Sequence, residues 1–359
     1  MIKKRSLLLF IVIVLAGCTP SASIENIQLV QTLGVDEAGE NKVRATAATT
    51  IFTQGQQGAS SKTETFTSVS HIMKDVQRIL QGQSPKPIRL GKMKVVLFDE
   101  ELARRGLFPF VDALGRDPRI GRLLYLLIVE EDTKKLLEGN YPSSSNVSEY
   151  LLEMMEHNMK QNVPHFNIHD FFYTYDGKGM DPFLPLIKKN KDKIEITGLA
   201  LFDDDKYVDS ISFRDSFVFK MLLENFQNGL YEVEAGEDGY LEIETIKSKV
   251  KYEIKNGNDH PRISIYVKMQ GFIEDEIGVN LKGNRNLQEI EKKTAKDLEK
   301  KSLNMIRKFQ EKGIDPLRFG SRVKYVTRNW SEEKWEGQYP STDFRVNVDV
   351  KIIQKGILE

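Results

Sequence analysis

A single cysteine, Cys18, is all this chain has, and its position decides how everything after it must be held together. It follows Leu15-Ala16-Gly17, at the end of an apolar run from Leu7 to Leu15 that itself follows Lys3, Lys4 and Arg5. A basic start, a short apolar core and small residues before the break make a secretory signal peptide, and the run is too short to cross a bilayer as a helix. A cysteine directly behind the small pair adds the mark of a bacterial lipoprotein. Its thiol can take an S-diacylglycerol, and cleavage would expose its amino group for an N-acyl chain such as palmitate. An ordinary cleaved signal or a buried structural cysteine is the plainer alternative, but charge, length and cysteine position agree on lipidation. With that thiol acylated, no disulfide, thiolate nucleophile or cysteine metal ligand remains, so the exported body must be held by packing alone.

Each buried methylene contributes about 0.8 kcal/mol, so two or three acyl chains anchor a protein stably where one would not. Beyond Cys18 no apolar stretch approaches the roughly 18 residues of a membrane helix, which leaves the lipid as the only anchor. The 359 residues hold 52 basic and 52 acidic side chains, and removing Lys3, Lys4 and Arg5 leaves 49 against 52. Lys and Arg are interspersed with Glu and Asp nearly everywhere, which disfavours nucleic acid and other polyanions as partners.

The length predicts two or three domains. Residues 1–17 read as signal peptide, 18–23 as a tether, 24–190 as an N-terminal domain and 191–359 as a C-terminal region with subdomains at about 191–235 and 236–359. In the first domain, 27–34 and 43–52 read as a hairpin turning at Asp36-Glu37-Ala38-Gly39, and 54–61 as a polar loop. Val69, Ile72, Met73, Val76 and Leu80 have helical spacing. The apolar runs 93–98 and 123–129 read as buried strands, with helices at 100–106 and 107–114 between them, and such strands need cover on both faces. Ser148 reads as the N-cap of a helix over 147–159, and the proline- and lysine-rich stretch 181–192 as the domain boundary. Beyond it come alternating strands at 194–202, 207–213, 249–254, 263–269 and 344–352, expected to pair antiparallel. One long helix carries Leu287, Ile290, Thr294, Leu298, Met305, Ile306 and Phe309 on a single stripe. The fold class predicted is α+β and multi-domain: a mixed-sheet, α/β-layered N-terminal domain, then an antiparallel sheet region with one long helix.

Candidates for chemistry are few. Of five histidines, His165 and His169 are four apart beside Asp170, a spacing that puts two metal ligands on one helical face. The glutamate of a zinc hydrolase motif is missing, and Pro164 and Asn167 argue against a regular helix, so loop or core histidines are the default. Gly177-Lys178-Gly179 begins like a dinucleotide fingerprint but meets Pro182 where the third glycine belongs. Asp203-Asp204-Asp205 lacks the glycine and distal glutamate of a calcium loop and reads as a solvated hairpin tip. Trp330, Trp335 and Tyr339-Pro340 could form an interface anchor or a sugar platform, but a loop pinned to its own domain is the simpler reading. Neither a phosphate-binding loop nor a Gly-x-Ser-x-Gly elbow occurs, and no catalytic, cofactor or metal residue is assigned.

Several segments together resemble the Ger(x)C family, the C-subunit lipoproteins of nutrient germinant receptors in endospore-forming bacteria. The resemblance runs almost end to end: the lipobox at Cys18, Ile24-Glu25-Asn26-Ile27, Leu33-Gly34-Val35-Asp36, 88–98, Glu101-Leu102-Ala103-Arg104-Arg105-Gly106, Gly115-Arg116-Asp117-Pro118-Arg119-Ile120 and Gly198-Leu199-Ala200-Leu201-Phe202. Most specific is Gly313-Ile314-Asp315-Pro316-Leu317-Arg318-Phe319-Gly320, similar to the family's Gly-x-Asp-Pro-x-x-Phe-Gly element. Thr19-Pro20 departs from the tryptophan and aspartate that many relatives carry after the cysteine.

The resemblance implies a non-catalytic, three-domain α+β subunit on the outer face of the spore inner membrane, working with a multi-spanning A subunit and a transporter-like B subunit in nutrient-triggered germination. It carries over one chemical role, the lipidation of Cys18. In Asp315-Pro316 the residues themselves suggest a structural turn: glycine frees the backbone after the helix, proline blocks its continuation, and Asp315 can cap the next segment. The rival reading is an envelope lipoprotein that captures a small nutrient directly, which should own a concave pocket with convergent polar groups.

Overall fold

The computed structural model describes residues 26–55, 58–71, 73–142, 144, 146–234, 239–278 and 284–353. Cys18 and the expected signal peptide and tether lie outside them.

Two sheets organise the chain. The first has strand order β3-β2-β1-β5-β6-β7-β8-β9, with β4 also paired to β1. Its strands are β1 (Gln28–Glu37), β2 (Val43–Gly55), β3 (Gly58–Ser70), β4 (Ile88–Arg89), β5 (Val95–Asp99), β6 (Tyr125–Val129), β7 (Phe183–Asn190), β8 (Lys193–Asp203) and β9 (Lys206–Ser212). β1, β5, β6 and β7 run parallel, flanked on either side by antiparallel hairpins. Val95, Val96, Leu97 and Phe98 are successive and all fully buried. Because neighbouring strand residues point to opposite faces, both faces of β5 are covered. The cover comes from α1 (Met73–Gln83), α2 (Glu100–Arg105), α3 (Phe108–Gly115), α4 (Thr133–Leu137), α5 (Val147–Lys160) and α6 (Ile168–Tyr175).

The second sheet is β10 (Leu230–Glu234), β11 (Tyr240–Lys255), β12 (Arg262–Ile277) and β13 (Asp343–Ile352), in that order. β10, β11 and β12 pair antiparallel, but β13 lies parallel to β12, from Arg262 opposite Asp343 to Gly271 opposite Ile352. A parallel neighbour needs a crossover. It is supplied by α8 (Asn284–Lys312), α9 (Phe319–Val326) and α10 (Glu332–Gln338). The stripe expected on α8 is the one that packs: Ile290, Thr294, Leu298, Met305, Ile306 and Phe309 are buried.

Between the sheets lies α7 (Phe213–Leu223), in which every residue from Ser216 to Leu223 is buried. It packs against β8 and β9 of the first sheet and against β11, β12 and α8. A helix buried on all sides belongs inside a core, and this one forms the joint.

Several local expectations are corrected. Of the polar 54–61 stretch expected as a loop, 54–55 end β2 and 58–61 open β3, which lies at the sheet edge, where no continuous apolar face is needed; 56–57 lie outside the described residues. Val69 belongs to β3, not to the following helix. β1 runs through Asp36 to Glu37, and the turn is at 38–42, closed by the Lys42 N–H on the Gly39 carbonyl (2.8 Å). Asn146, not Ser148, caps α5; its Oδ1 accepts the Ser148 N–H (2.9 Å), while the Ser148 hydroxyl pairs with that of Thr32 (2.8 Å). The stretch 181–192 holds β7, whose pairing with β6 begins only at Leu186, so that ladder does not call on the N–H that Pro185 lacks. The chain passes from the first sheet to the second through α7.

Candidate functional site at the junction of the sheets

The Gly313–Gly320 stretch builds a buried junction. Gly313, with φ of +72°, ends α8 in the left-handed region that glycine enters without penalty. Pro316 cannot extend the helix, and the chain turns so that Asp315 faces the start of α9. There its carboxylate accepts the Phe319 N–H (2.9 Å) and the Gly320 N–H (2.6 Å), in the manner of a helix cap. The capping role read from the sequence for Asp315 is therefore what the structure shows.

Asp181 completes the arrangement from the other side. Its carboxylate accepts the N–H of Asp315 (2.6 Å) and of Asp204 (3.2 Å), and its own N–H donates to the Asp315 carbonyl (3.1 Å). Three segments far apart in sequence are thus tied at two carboxyls. Burial pushes Asp315 up to about 7, opposed by the N–H groups of Gly320 and Phe319, and pushes Asp181 up to about 6. All four carboxylate oxygens accept backbone N–H groups, so the pair acts as a clamp.

The glycines around the clamp are there for close approach. Gly179 has φ of +70°, and an added Cβ would stand 2.8 Å from the Gly320 backbone; the Ser321 N–H donates to the Gly179 carbonyl (2.8 Å). A Cβ on Gly320 would meet the Trp335 ring, 2.6 Å from Cδ1. Gly177-Lys178-Gly179 is therefore part of a packed joint. Trp335 and Tyr339 are buried with ring centroids 5.1 Å apart, and Gln310 holds the Tyr339 carbonyl (2.7 Å), so this aromatic group is pinned to its own domain.

A second buried group stands on α7. The Lys220 ammonium donates to the carbonyls of Met159 (2.6 Å), Gln161 (2.8 Å) and Val163 (3.0 Å), capping the end of α5, with Glu224 at 3.8 Å. Burial pushes Lys220 down to about 8, and Glu224 opposes that shift. Neither Lys220 nor Asp181 stood out in the sequence. The only hint of Lys220 was one cation inside the apolar run 217–223.

The histidine pair does not assemble. His165 lies in the loop before α6, His169 sits in its first turn, and Asn167 between them is the N-cap, accepting the His169 N–H (2.7 Å). Both histidines are exposed, and among the described residues no three His, Cys, Asp or Glu side chains converge as a metal site would require. Asp203 to Asp205 form a hairpin tip as expected, but Asp205 also accepts the N–H groups of Leu107 (3.0 Å) and Phe108 (2.9 Å), fixing the start of α3.

Two concavities flank the Arg116–Ile120 loop. One, of about 450 Å³, is lined chiefly by apolar side chains such as Val76, Leu80, Leu90 and Phe110 from the α1 and α3 side; the other, of about 600 Å³, opens toward α6.

Residues 20–189 match the family described as spore germination protein N-terminal domain, and 197–356 match that described as spore germination B3/GerAC like, C-terminal. The chain belongs to the Ger(x)C family. The spore germination protein GerQC of Bacillus cereus is 30% identical over 361 residues, covering 99% of this chain and all of that protein. Spore germination protein B3 of Bacillus subtilis (strain 168) is 24% identical, covering 98% of each. The crystal structure of the GerBC protein superposes with a TM-score of 0.61 at 19% identity, covering 89% of this chain and 96% of that one. This Ger(x)C chain thus shares the GerBC fold, a mixed α/β arrangement of two sheets, and its Gly313–Gly320 element is the clamp that joins α8 to the first sheet.

Proposed function

We propose that this chain is the lipid-anchored, non-catalytic C subunit of a nutrient germinant receptor, held on the outer face of the spore inner membrane, where it docks with the A and B membrane subunits to trigger germination. The observation that carries this reading is family membership over essentially the whole chain together with a lipobox cysteine at position 18. Confinement to a surface raises effective concentration, so modest contacts with membrane partners suffice. The carboxyls at the junction serve the fold, which fits a subunit that works by presenting surfaces. Direct nutrient capture is the second reading: the concavity beside α1 has a mostly apolar lining, but another of about 510 Å³ between α7, β10 and α8 is lined by Arg214, Asp215, Glu232, Asp297 and Lys301, polar groups of the kind a small nutrient requires.

Cys18→Ala tests the proposal. The variant chain is expected to fold but to leave the membrane fraction of spores, with loss of the nutrient response through this receptor. Normal retention and normal response would overturn the anchor. Copurification of A and B subunits with the wild-type chain, mapped by crosslinking, tests the docking, and stoichiometric nutrient binding by the mature chain alone would favour direct capture instead.

A further inference from the structure

Charge that looks evenly dispersed along the sequence is gathered by the topology. The parallel strands β1, β5 and β6 all begin at one end of the first sheet, and the segments that feed them meet there. The Gln28 N–H donates to the Pro87 carbonyl (2.9 Å), the Lys94 N–H to the Gln31 carbonyl (2.8 Å) and the Tyr125 N–H to the Lys94 carbonyl (2.9 Å). Gly91 approaches the next loop so closely that an added Cβ would lie 3.2 Å from the Arg119 carbonyl oxygen.

Residues 84–94 carry four cations and no acid, and residues 116–124 carry three cations and one acid, Asp117. Asp117 is already taken by Arg119 (2.5 Å), and Arg116 is paired with Asp112 (2.8 Å). Arg89, Lys92, Lys94 and Arg122 are exposed, and among the described residues no carboxylate forms an ion pair with them. Leu123 stands among them 64% exposed. A chain whose charges balance therefore presents a basic rim at this end, edged by Glu64, which accepts from the Gln28 side chain (2.7 Å), and by Glu156 near Tyr125.

The position of the rim suggests its partner. Asn26 leads into β1 at this same end, and Cys18 is eight residues earlier. Eight residues reach at most about 28 Å. A lipid on Cys18 would keep this end within that reach of the bilayer surface. Screening limits attraction to roughly 8 Å at physiological salt, so exposed cations at the tethered end are the ones placed to use it.

We propose that the end of the first sheet where β1, β5 and β6 begin is a membrane-facing surface that binds the phosphodiester headgroups of anionic lipids and sets the orientation of the anchored subunit. The proposal deepens the receptor reading and rests on it for the nearness of the bilayer, but its chemistry is separable from the anchor.

The test uses the mature chain from position 18 carrying Cys18→Ala, so that no acyl chain contributes, in cosedimentation with phosphatidylcholine vesicles containing about 30 mol% phosphatidylglycerol or none. Each cation that reaches an anionic surface is worth roughly five-fold in partitioning, so at least a ten-fold preference for the anionic vesicles is expected, lost at about 0.5 M salt. The triple variant Arg89→Glu, Lys92→Glu, Arg122→Glu should lose that preference with an unchanged melting temperature. The triple Lys247→Glu, Lys249→Glu, Lys251→Glu, which makes the same charge change on β11, should retain it. Equal binding to both vesicles, or equal loss in both triples, would overturn the proposal. So would rim-dependent binding to detergent-solubilised A or B subunit without any lipid preference, which would assign the rim to a protein. Vesicle binding that persists while Cys18→Ala leaves spores unaffected would count against the anchor and not against the rim.

Discussion

Replacing Lys220 by methionine asks whether a buried ammonium secures the joint between the two sheets. The side chain is 1% exposed, and its three donated hydrogen bonds all go to carbonyls at the end of α5 and just beyond it. Methionine keeps the apolar stem but removes every donor, and the last carbonyls of a helix have no partner within it. At about 1.5–3 kcal/mol for each bond from a charged donor, the gross loss would be roughly 4.5–9 kcal/mol. Against this stands relief from burying a cation, the cost that pushes Lys220 down to about 8. Removing one member of a buried charged network commonly costs about 3–5 kcal/mol, which we take as the expected net loss. Melting temperature moves by about 2–4 °C per kcal/mol in chains of 150–250 residues and by less in larger ones, so a fall of roughly 5–10 °C is expected. Circular dichroism melts and urea midpoints of the mature chain would measure it. Adding Glu224→Gln should recover part of the loss, because Glu224 would otherwise keep a charge with no counterion at 3.8 Å. A melting temperature within about 2 °C of the parent would refute the reasoning, since desolvation would then cancel the three hydrogen bonds.

Asp315 and Asp181 keep their protons to about 7 and about 6 in the folded state, against 3.8 for an ordinary aspartate, so between about pH 4 and pH 7 the folded chain binds more protons than the unfolded one. Their contribution to stability is full below pH 4 and lost as pH rises through 7; urea midpoints from pH 4 to 8 should fall less steeply in Asp315→Asn, and an unchanged slope would sink the assignment. Gly320→Ala places a Cβ 2.6 Å from Trp335 Cδ1 and should cost about 2 kcal/mol or more, whereas Gly337→Ala, with nothing within 4 Å, should be neutral or gain up to about 1 kcal/mol by helix propensity. Equal urea midpoints for these two variants would show that the Gly320 contact yields without cost.

Elements that depend on local pattern were legible in the sequence. The buried strands β5 and β6 show as unbroken apolar runs, β12 shows as alternation, and α8 carries its stripe at helical spacing, because in each case the residues that pack are chosen within one element. β3 hid because it lies at an edge and its alternating threonines and serines need no apolar face. β13 alternates as an antiparallel strand would, yet runs parallel, since direction is set by how the crossover through α8, α9 and α10 returns the chain, which no window of ten residues contains.

The same limit governs the junction. Asp315 could be read as a cap because its glycine, its proline and the helix it serves are neighbours. Asp181, 134 residues away, could not, because what makes it matter is the N–H of Asp315 at 2.6 Å. Lys220 is the harder case. In sequence it interrupts an apolar helix and looks like a fault or a surface residue, and only the carbonyls 57 to 61 residues earlier turn it into a cap. The basic rim repeats the lesson for charge: 84–94 and 116–124 are unremarkable beside their acidic neighbours along the chain, but parallel strands bring the loops before them to one end. Net charge and interspersion therefore speak against binding along an extended polyanion, while leaving open a local surface that only topology assembles.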